Sequence, residues 1–386
     1  MQIRSLLDTF RQHFEGTPRA FRSPGRINII GEHTDYNEGF VLPAGIDKEI
    51  VVLIAPNSSD QINLISVDQN EQLAFSLHNY GAGRHGWPAY ILGVVDRALK
   101  AGLDIQGFDC VFGGNIPIGA GLSSSAALEC ATLFGLNELF SWQLDRKEIA
   151  LMAQAAENRF VGVNCGIMDQ FASVFALENH ALKLDCRDLS YRPFEIHFGE
   201  YGLVLVDSQV KHSLASSEYN TRRLECEAAV IALRTLYPDI DAIRDAQLHQ
   251  LEQVKNLLSD KEYHRAKYVI EEIERVSIAC TAIEKDQLNE LGRLLYASHD
   301  GLQHLYEVSC TELDFLVDFT RSKPEVLGAR MMGGGFGGCT LNLIRQDQIV
   351  QFSEEISDTF EKQFGSKPGI YPVKTAQGSS EILLTL

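Results

Sequence analysis

PIGAGLSSSA, residues 117–126, is the stretch on which the reading of this chain turns. Gly119 and Gly121 permit backbone torsions that a side chain forbids, so successive peptide N–H groups can converge on one anion. Ala126, Ala127, Leu128, Cys130, Ala131, Leu133 and Phe134 then continue as an almost wholly apolar helix, whose positive N-terminal end faces the loop. Phosphate suits that position, although the loop alone also fits a tight turn closed by a serine cap. Two better-known nucleotide loops do not fit. The chain has no Gly-Lys dipeptide, and GAGLSS puts serine where a dinucleotide fingerprint needs its third glycine.

The rest of the chain narrows what such a loop would hold. At 386 residues and 45% hydrophobic content, the length exceeds what one core usually organises, so two domains are expected. A formal net charge of -18 opposes nucleic acid and acidic membranes and points to a small-molecule partner, whose phosphates must be met by local dipoles, a cation and a few arginines. The eight cysteines are scattered, with no CxxC pair, which suits buried free thiols rather than a disulfide framework or zinc. Ile3, Leu6, Leu7, Phe10 and Phe14 recur at helical spacing instead of forming an apolar signal core, so a surface helix and a cytoplasmic location are expected.

SPGRINIIGEHTDYN, residues 23–37, reads as a buried strand delivering charges into a loop. Arg26 precedes Ile27, Ile29 and Ile30, Gly31 ends the run, and Glu32, His33 and Asp35 follow. So many hydrogen-bonding side chains after a buried strand exceed what a turn requires and suggest a polyol site. Val51 to Ala55 and Ile62 to Val67 read as paired strands joined through Pro56, Asn57 and Ser58. GAGRHG, residues 81–86, spells a dinucleotide fingerprint but follows SLHNY, a poor buried strand, and is read as a loop. Pro88 suits the first turn of a helix.

Asp145 and Glu148 form a capping pair for a helix expected to run to Phe160, with Glu157 on the apolar face of Ile149, Ala153 and Phe160. A carboxylate there must pair with an arginine or hold a cation. NCGIMDQ, residues 164–170, opens a helix with Asp169 in its first turn, near the positive end. Leu203 to Val206 reads as a buried strand, SEYNTRR as the opening of a helix, and Asp241 to about Phe319 as helical, with His299 and His304 structural. After GGGFGG come the apolar TLNLI, a helix from Asp347 to about Phe364, and strands near Ile370 and Ile382, suggesting an α+β second domain. Glycines this dense also let two domains approach closely.

GRINIIGEHTDYNEGFVLP resembles the galactokinase signature, and PIGAGLSSSA is similar to the phosphate motif of the GHMP kinase superfamily. CGIMDQ, SEYNTRR, SHDGLQHLYEVSCTELDFLV and GGGFGGC resemble further galactokinase segments, in the expected order. The resemblance implies an α+β, two-domain GHMP kinase fold: an N-terminal ribosomal-protein-S5-domain-2-like part (1–200) for sugar and ATP, and a C-terminal ferredoxin-like GHMP domain (201–386). It implies γ-phosphoryl transfer from ATP to the anomeric hydroxyl of α-D-galactose, the first step of the Leloir pathway, with Mg2+ as cofactor. On this resemblance Asp169 accepts the sugar proton and Arg26 stabilises transferred charge. Glu32, His33, Thr34, Asp35, Gly166 and Tyr219 surround the sugar. Ser66 and the segment Gly119, Ala120, Gly121, Leu122, Ser123, Ser124 and Ser125 hold ATP, and Ser125 and Glu157 ligate the metal. Alternatives within the superfamily are kinases of N-acetylgalactosamine, L-arabinose or galacturonate, or a non-catalytic galactose sensor. Galactose and ATP are the expected partners of a monomer that binds neither nucleic acid nor membrane.

Overall fold

The computed structural model describes residues 3–83, 85–117, 119–210 and 215–384. The first half runs α1 (Ile3–His13), β1 (Arg19–Asn28), β2 (Phe40–Val41), β3 (Pro43–Pro56), β4 (Gln61–Ser66) and β5 (Glu71–Ser76). It continues with α2 (Pro88–Lys100), β6 (Phe108–Gly114), α3 (Ser124–Phe140), α4 (Arg146–Ala156), α5 (Met168–Phe175), β7 (His180–Asp185) and β8 (Tyr191–Glu195). Pro88 does open α2, and Asp145 and Glu148 close a reciprocal capping box at the start of α4. GAGRHG belongs to no βαβ unit, and Gly81–Gly83 is a single 3-10 turn.

β1, β3, β4, β5 and β6 share one sheet. On one face Leu6 and Phe10 of α1 pack against Ala20, Val51, Leu53 and Val111; on the other, Phe21, Val52, Ile54 and Phe112 meet the helical layer. Fully burying a side chain such as Leu6 or Phe10 contributes roughly 1.5–3 kcal/mol, enough to hold α1 in place. The expected pairing of the Val51 and Ile62 strands does not occur. β6 lies between them, antiparallel to β3 (Val52 opposite Phe112) and parallel to β4 (Leu64 opposite Cys110). All of β6 but its last residue is buried, with Asp109 satisfied by Asn57 and Asn63, so the strand is stable only where both faces are covered, and that is an interior position.

The second half runs β9 (Tyr201–Asp207), α6 (Ala215–Arg234), α7 (Leu248–Gln253), α8 (Asp260–Glu284), α9 (Leu288–Gly301), α10 (Thr311–Arg321), β10 (Val326–Met331), β11 (Cys339–Arg345), α11 (Ile349–Phe364) and β12 (Gly369–Val373). The antiparallel order β10-β11-β9-β12, with helices between β9 and β10 and between β11 and β12, is a ferredoxin-like arrangement. Val204 and Val206 face α10 and α11, while Leu203 and Leu205 join the main core of the first half. The last strand, β13 (Ser380–Ile382), departs from the expectation that it completes this second unit. It crosses back to pair with β1, so Ile382 lies opposite Ala20 at the edge of the first sheet.

α4 also ends earlier than expected. Residues Glu157–Val161 form a π turn closed by Gly162 at φ 93°. Such turns insert an extra residue and re-aim side chains, and they recur at functional sites.

Candidate active site

The phosphate-loop motif delivers an open helix N-terminus. Gly119, Gly121 and Ser123 take φ values of 82°, 72° and 58°, and Ser123 stands at the N-cap of α3 without capping it. Its hydroxyl donates instead to Asp169 Oδ2 at 2.6 Å, so the first N–H groups of α3 are left for another acceptor. The side chains of Ala120 and Leu122 are buried in the core, so these residues can offer the loop only backbone groups; Ile118 lies outside the described residues. GGGFGG packs directly against this loop: Gly333 faces Gly121 and Gly338 faces Ala120, each approach under 4 Å from where a Cβ would stand. Its own turns are equally tight. A Cβ on Gly335 would come within 2.1 Å of the Val308 carbonyl oxygen.

Arg26 and Asp169, 143 residues apart, meet beside the loop. Arg26 Nε and Nη2 donate to the two oxygens of Asp169 at 2.7 and 3.0 Å, and Nη1 donates to the Gly121 carbonyl at 2.8 Å. This bidentate geometry fixes both groups. Burial opposes the charge on Arg26, but Asp169, Glu32 and Asp35 raise its pKa overall.

Both residues face a cavity of about 260 Å³ whose wall also carries Glu32, His33, Asp35, Gly166, Tyr219 and Glu157. Asp35 opens a 3-10 turn, half-buried, with its carboxyl pushed up to about 7 by burial and by the neighbouring Asp169. Gly166 leaves room for it, since a Cβ there would stand 1.7 Å from Asp35 Oδ2. His33 is buried at φ 60° and held neutral, its pKa lowered to about 3 by burial and by Arg222. Its Nδ1 shares a hydrogen bond with Tyr36, which continues to Tyr306, while Nε2 has no partner among the described residues. Tyr219 sits against His33 with ring centres 5.5 Å apart.

The second half of the chain holds this loop from behind. Glu32 Oε1 accepts from Arg330 at 3.0 Å and from the Gly333 N–H at 2.8 Å. Tyr268 donates to the Glu32 carbonyl, Glu272 accepts from the Gly31 N–H, and the fully buried Arg330 also donates to the carbonyls of Ile29 and Asn28. Thr34 does not reach the cavity. It is buried, and its hydroxyl donates to the carbonyls of Gly31 and Phe40, bracing the loop.

Glu157, on the π turn, pairs with no Lys or Arg among the described residues, which removes the ion-pair alternative. Burial and Asp169 push its carboxyl up to about 6, while hydrogen bonds from Ser125, Cys165 and Gln170 work against the shift. Ser125 and Glu157 thus stand together, presenting hard oxygens. Ser66 is buried on β4, away from the cavity, with no partner for its hydroxyl among the described residues. Glu129, Gln170, Glu272 and Arg330 were missed in the sequence. Glu129 had the same signal as Glu157, a carboxylate within an apolar helix; the others became visible only through their partners. His299 is structural, buried and accepting the Met331 N–H, with its pKa lowered to about 3 by burial.

No helix among the described residues is long and apolar enough to cross a membrane. The chain matches the families described as GHMP kinases N terminal domain over residues 89–176, GHMP kinases C terminal over 279–362, and Galactokinase galactose-binding signature over 8–56. It is 38% identical to a galactokinase of Roseiflexus sp., covering 98% of this chain and 97% of that one. It is 40% identical to one of Thermotoga maritima, covering 94% and 99%. The crystal structure of Lactococcus lactis galactokinase complexed with galactose superposes with a TM-score of 0.94 at 33% identity, over 98% of this chain and all of that one. A Methanococcus jannaschii mevalonate kinase, 18% identical with a TM-score of 0.63 over 94% of this chain and 100% of the other, shares the fold. With its phosphate loop, its ferredoxin-like second half and near-complete coverage by these relatives, the chain belongs to the galactokinase family of the GHMP kinases.

Proposed function

We propose that the chain transfers the γ-phosphoryl group of ATP to the anomeric hydroxyl of α-D-galactose, giving galactose 1-phosphate and ADP. The observation that carries this reading is the bidentate Arg26–Asp169 pair on the wall of a small cavity that also carries Glu32, Asp35 and Glu157, beside an uncapped helix N-terminus. Asp169 accepts the anomeric proton as the phosphoryl group leaves ATP, and Ser123 keeps its carboxylate aimed. Arg26 lies against Asp169 and the phosphate loop, where it stabilises charge on the group in flight. Catalysis here is mainly positioning and electrostatics.

The residues present fit Mg2+. Ser125 and Glu157 offer hard oxygens beside the open N-terminus of α3. A cation held by few protein groups and mostly by nucleotide phosphates matches the habits of magnesium. When bound, it would neutralise phosphate charge. Asp35, with Gly166 packed beside it and Tyr219 nearby, accepts from the third and fourth sugar hydroxyls, while Glu32 and His33 close the remaining wall. Buried Ser66, the backbone of Gly119, Ala120, Gly121 and Leu122, and Ser123, Ser124 and Ser125 serve the nucleotide. The chain works in the cytoplasm, a reading supported by eight free cysteines, and as a monomer.

A coupled ADP-release assay across galactose, glucose, N-acetylgalactosamine, L-arabinose and galacturonate tests the reading. Galactose should exceed glucose by a factor on the order of ten-thousand, because inverting the fourth hydroxyl leaves Asp35 and its neighbours unpaired. Comparable specificity constants for the two epimers would refute it, and a folded protein without turnover would point to a sensor.

A further inference from the structure

Behind Glu157 lies a layer of buried polar groups that the proposed reaction does not touch. Gln170 follows Asp169 on α5 and is wholly buried. Its Nε2 donates to Glu157 Oε2 at 2.6 Å and to Glu129 Oε2 at 3.3 Å. Glu129 stands four residues after Ser125 on α3, hence on the same helical face one turn further in, and it is also wholly buried. Among the described residues it pairs with no Lys or Arg, and its Oε1 has no partner.

Nothing in a glutamate side chain fixes the rotation of its carboxylate, because the terminal torsion is broad. A metal ligand of this kind therefore needs a donor on one oxygen if the other is to be presented in a constant direction. Gln170 supplies that donor on Oε2, assisted by the Cys165 thiol at 3.5 Å. Gln170 is itself fixed by having two acceptors on one nitrogen: turning the amide over would aim its carbonyl oxygen at both carboxyl groups. The chemistry of the two helices is thereby joined, with Asp169 and Gln170 adjacent on α5 and Ser125 and Glu129 one turn apart on α3.

We propose that Gln170 is a positioning residue for the cation ligand Glu157, and that Glu129 holds Gln170 in its donating orientation. The inference rests on the reading of Glu157 as a magnesium ligand. The two are separated by titrating Mg2+ into the full chain with ADP and following ADP binding by calorimetry, with galactose binding measured separately. Gln170→Met keeps the length of the side chain and removes its donors. It should weaken apparent Mg2+ affinity about tenfold or more, the usual effect of losing a group that orients a metal ligand, and leave galactose affinity within about twofold. Glu129→Leu, which suits the apolar surroundings of α3 and should fold, should move the Mg2+ midpoint the same way. The double variant should go no further than Gln170→Met alone.

Glu157→Gln is the reference. If it shifts the Mg2+ midpoint and Gln170→Met does not, the positioning role is overturned and the metal reading stands. If Glu157→Gln leaves the midpoint unchanged, the metal reading falls and this inference with it. Additive effects in the double variant would overturn the role of Glu129. Should Gln170→Met fail to fold, an unchanged midpoint in Glu129→Leu overturns the proposal by itself.

Discussion

Gly166→Ala tests the sugar site without removing any of its functional groups. Gly166 needs no left-handed φ, so alanine is compatible with its backbone. The added Cβ would stand 1.7 Å from Asp35 Oδ2 and 2.3 Å from Asp35 Cγ. Non-bonded carbon and oxygen atoms approach no closer than about 3.2 Å, so the carboxylate must retreat by about 1.5 Å. That distance breaks a hydrogen bond, and a hydroxyl-to-carboxylate bond is worth roughly 1.5–3 kcal/mol. The specificity constant for galactose should therefore fall about a hundredfold, matching what an ångström-scale misplacement costs in an active site. Coupled ADP release gives the specificity constant, calorimetry gives the galactose affinity, and ADP binding with a thermal melt reports whether the phosphate loop and fold are intact. A specificity constant within about threefold of the parent, in a folded protein, would refute the placement of Asp35 against the sugar.

Asp169→Ala and Arg26→Ala should each lower turnover by roughly several hundredfold or more while circular dichroism stays unchanged, and normal turnover in either would sink the assignment. Galactose affinity should tighten as pH rises through about 7 and level off roughly a unit above it, because Asp35 with its pKa near 7 accepts sugar hydroxyls as the carboxylate. Asp35→Asn should abolish that dependence; a flat profile in the parent would contradict it. The same raised pKa makes the folded state bind the extra proton between about pH 4 and 7. The stability of the parent relative to Asp35→Asn should thus decline with rising pH over that window, as read from paired melts. Glu157→Gln should weaken the Mg2+ requirement curve far more than galactose binding, and an unaltered magnesium titration would count against its role.

Much of the site was legible because its signals are local. The glycines of GAGLSSS announce an open turn, Asp145 and Glu148 are the two halves of a capping box three residues apart, and Glu157 is conspicuous as a carboxylate on an apolar stripe. The same rule applied to α3 would have found Glu129. For Thr34 the sequence could not say which way its hydroxyl turns, because that chemistry is the same towards a sugar or towards the two loop carbonyls to which it donates. Ser66 is set apart in the structure by its unpartnered buried hydroxyl among the described residues.

By itself the sequence determined whatever depends on torsions and periodicity over about ten residues: the glycine turn at 119–121, the apolar α3 behind it, the opening of α2 at Pro88, and the order of strands and helices in the second half. The tertiary structure alone decided which elements became neighbours. β6 entered between β3 and β4 because a strand buried along almost its whole length competes for covered positions anywhere in the chain, and β13 returned to the sheet edge beside β1, where Arg19 pairs with Glu381. It also decided that the helix expected through Phe160 breaks into a π turn at Glu157, and that Gln170 meets Glu129 and Glu157 there. Arg330 spans about 300 residues of sequence to hold Glu32, and Arg26 spans 143 to hold Asp169. A charged side chain finds its buried partner only once the whole core has set their backbones, so no local pattern can carry that information.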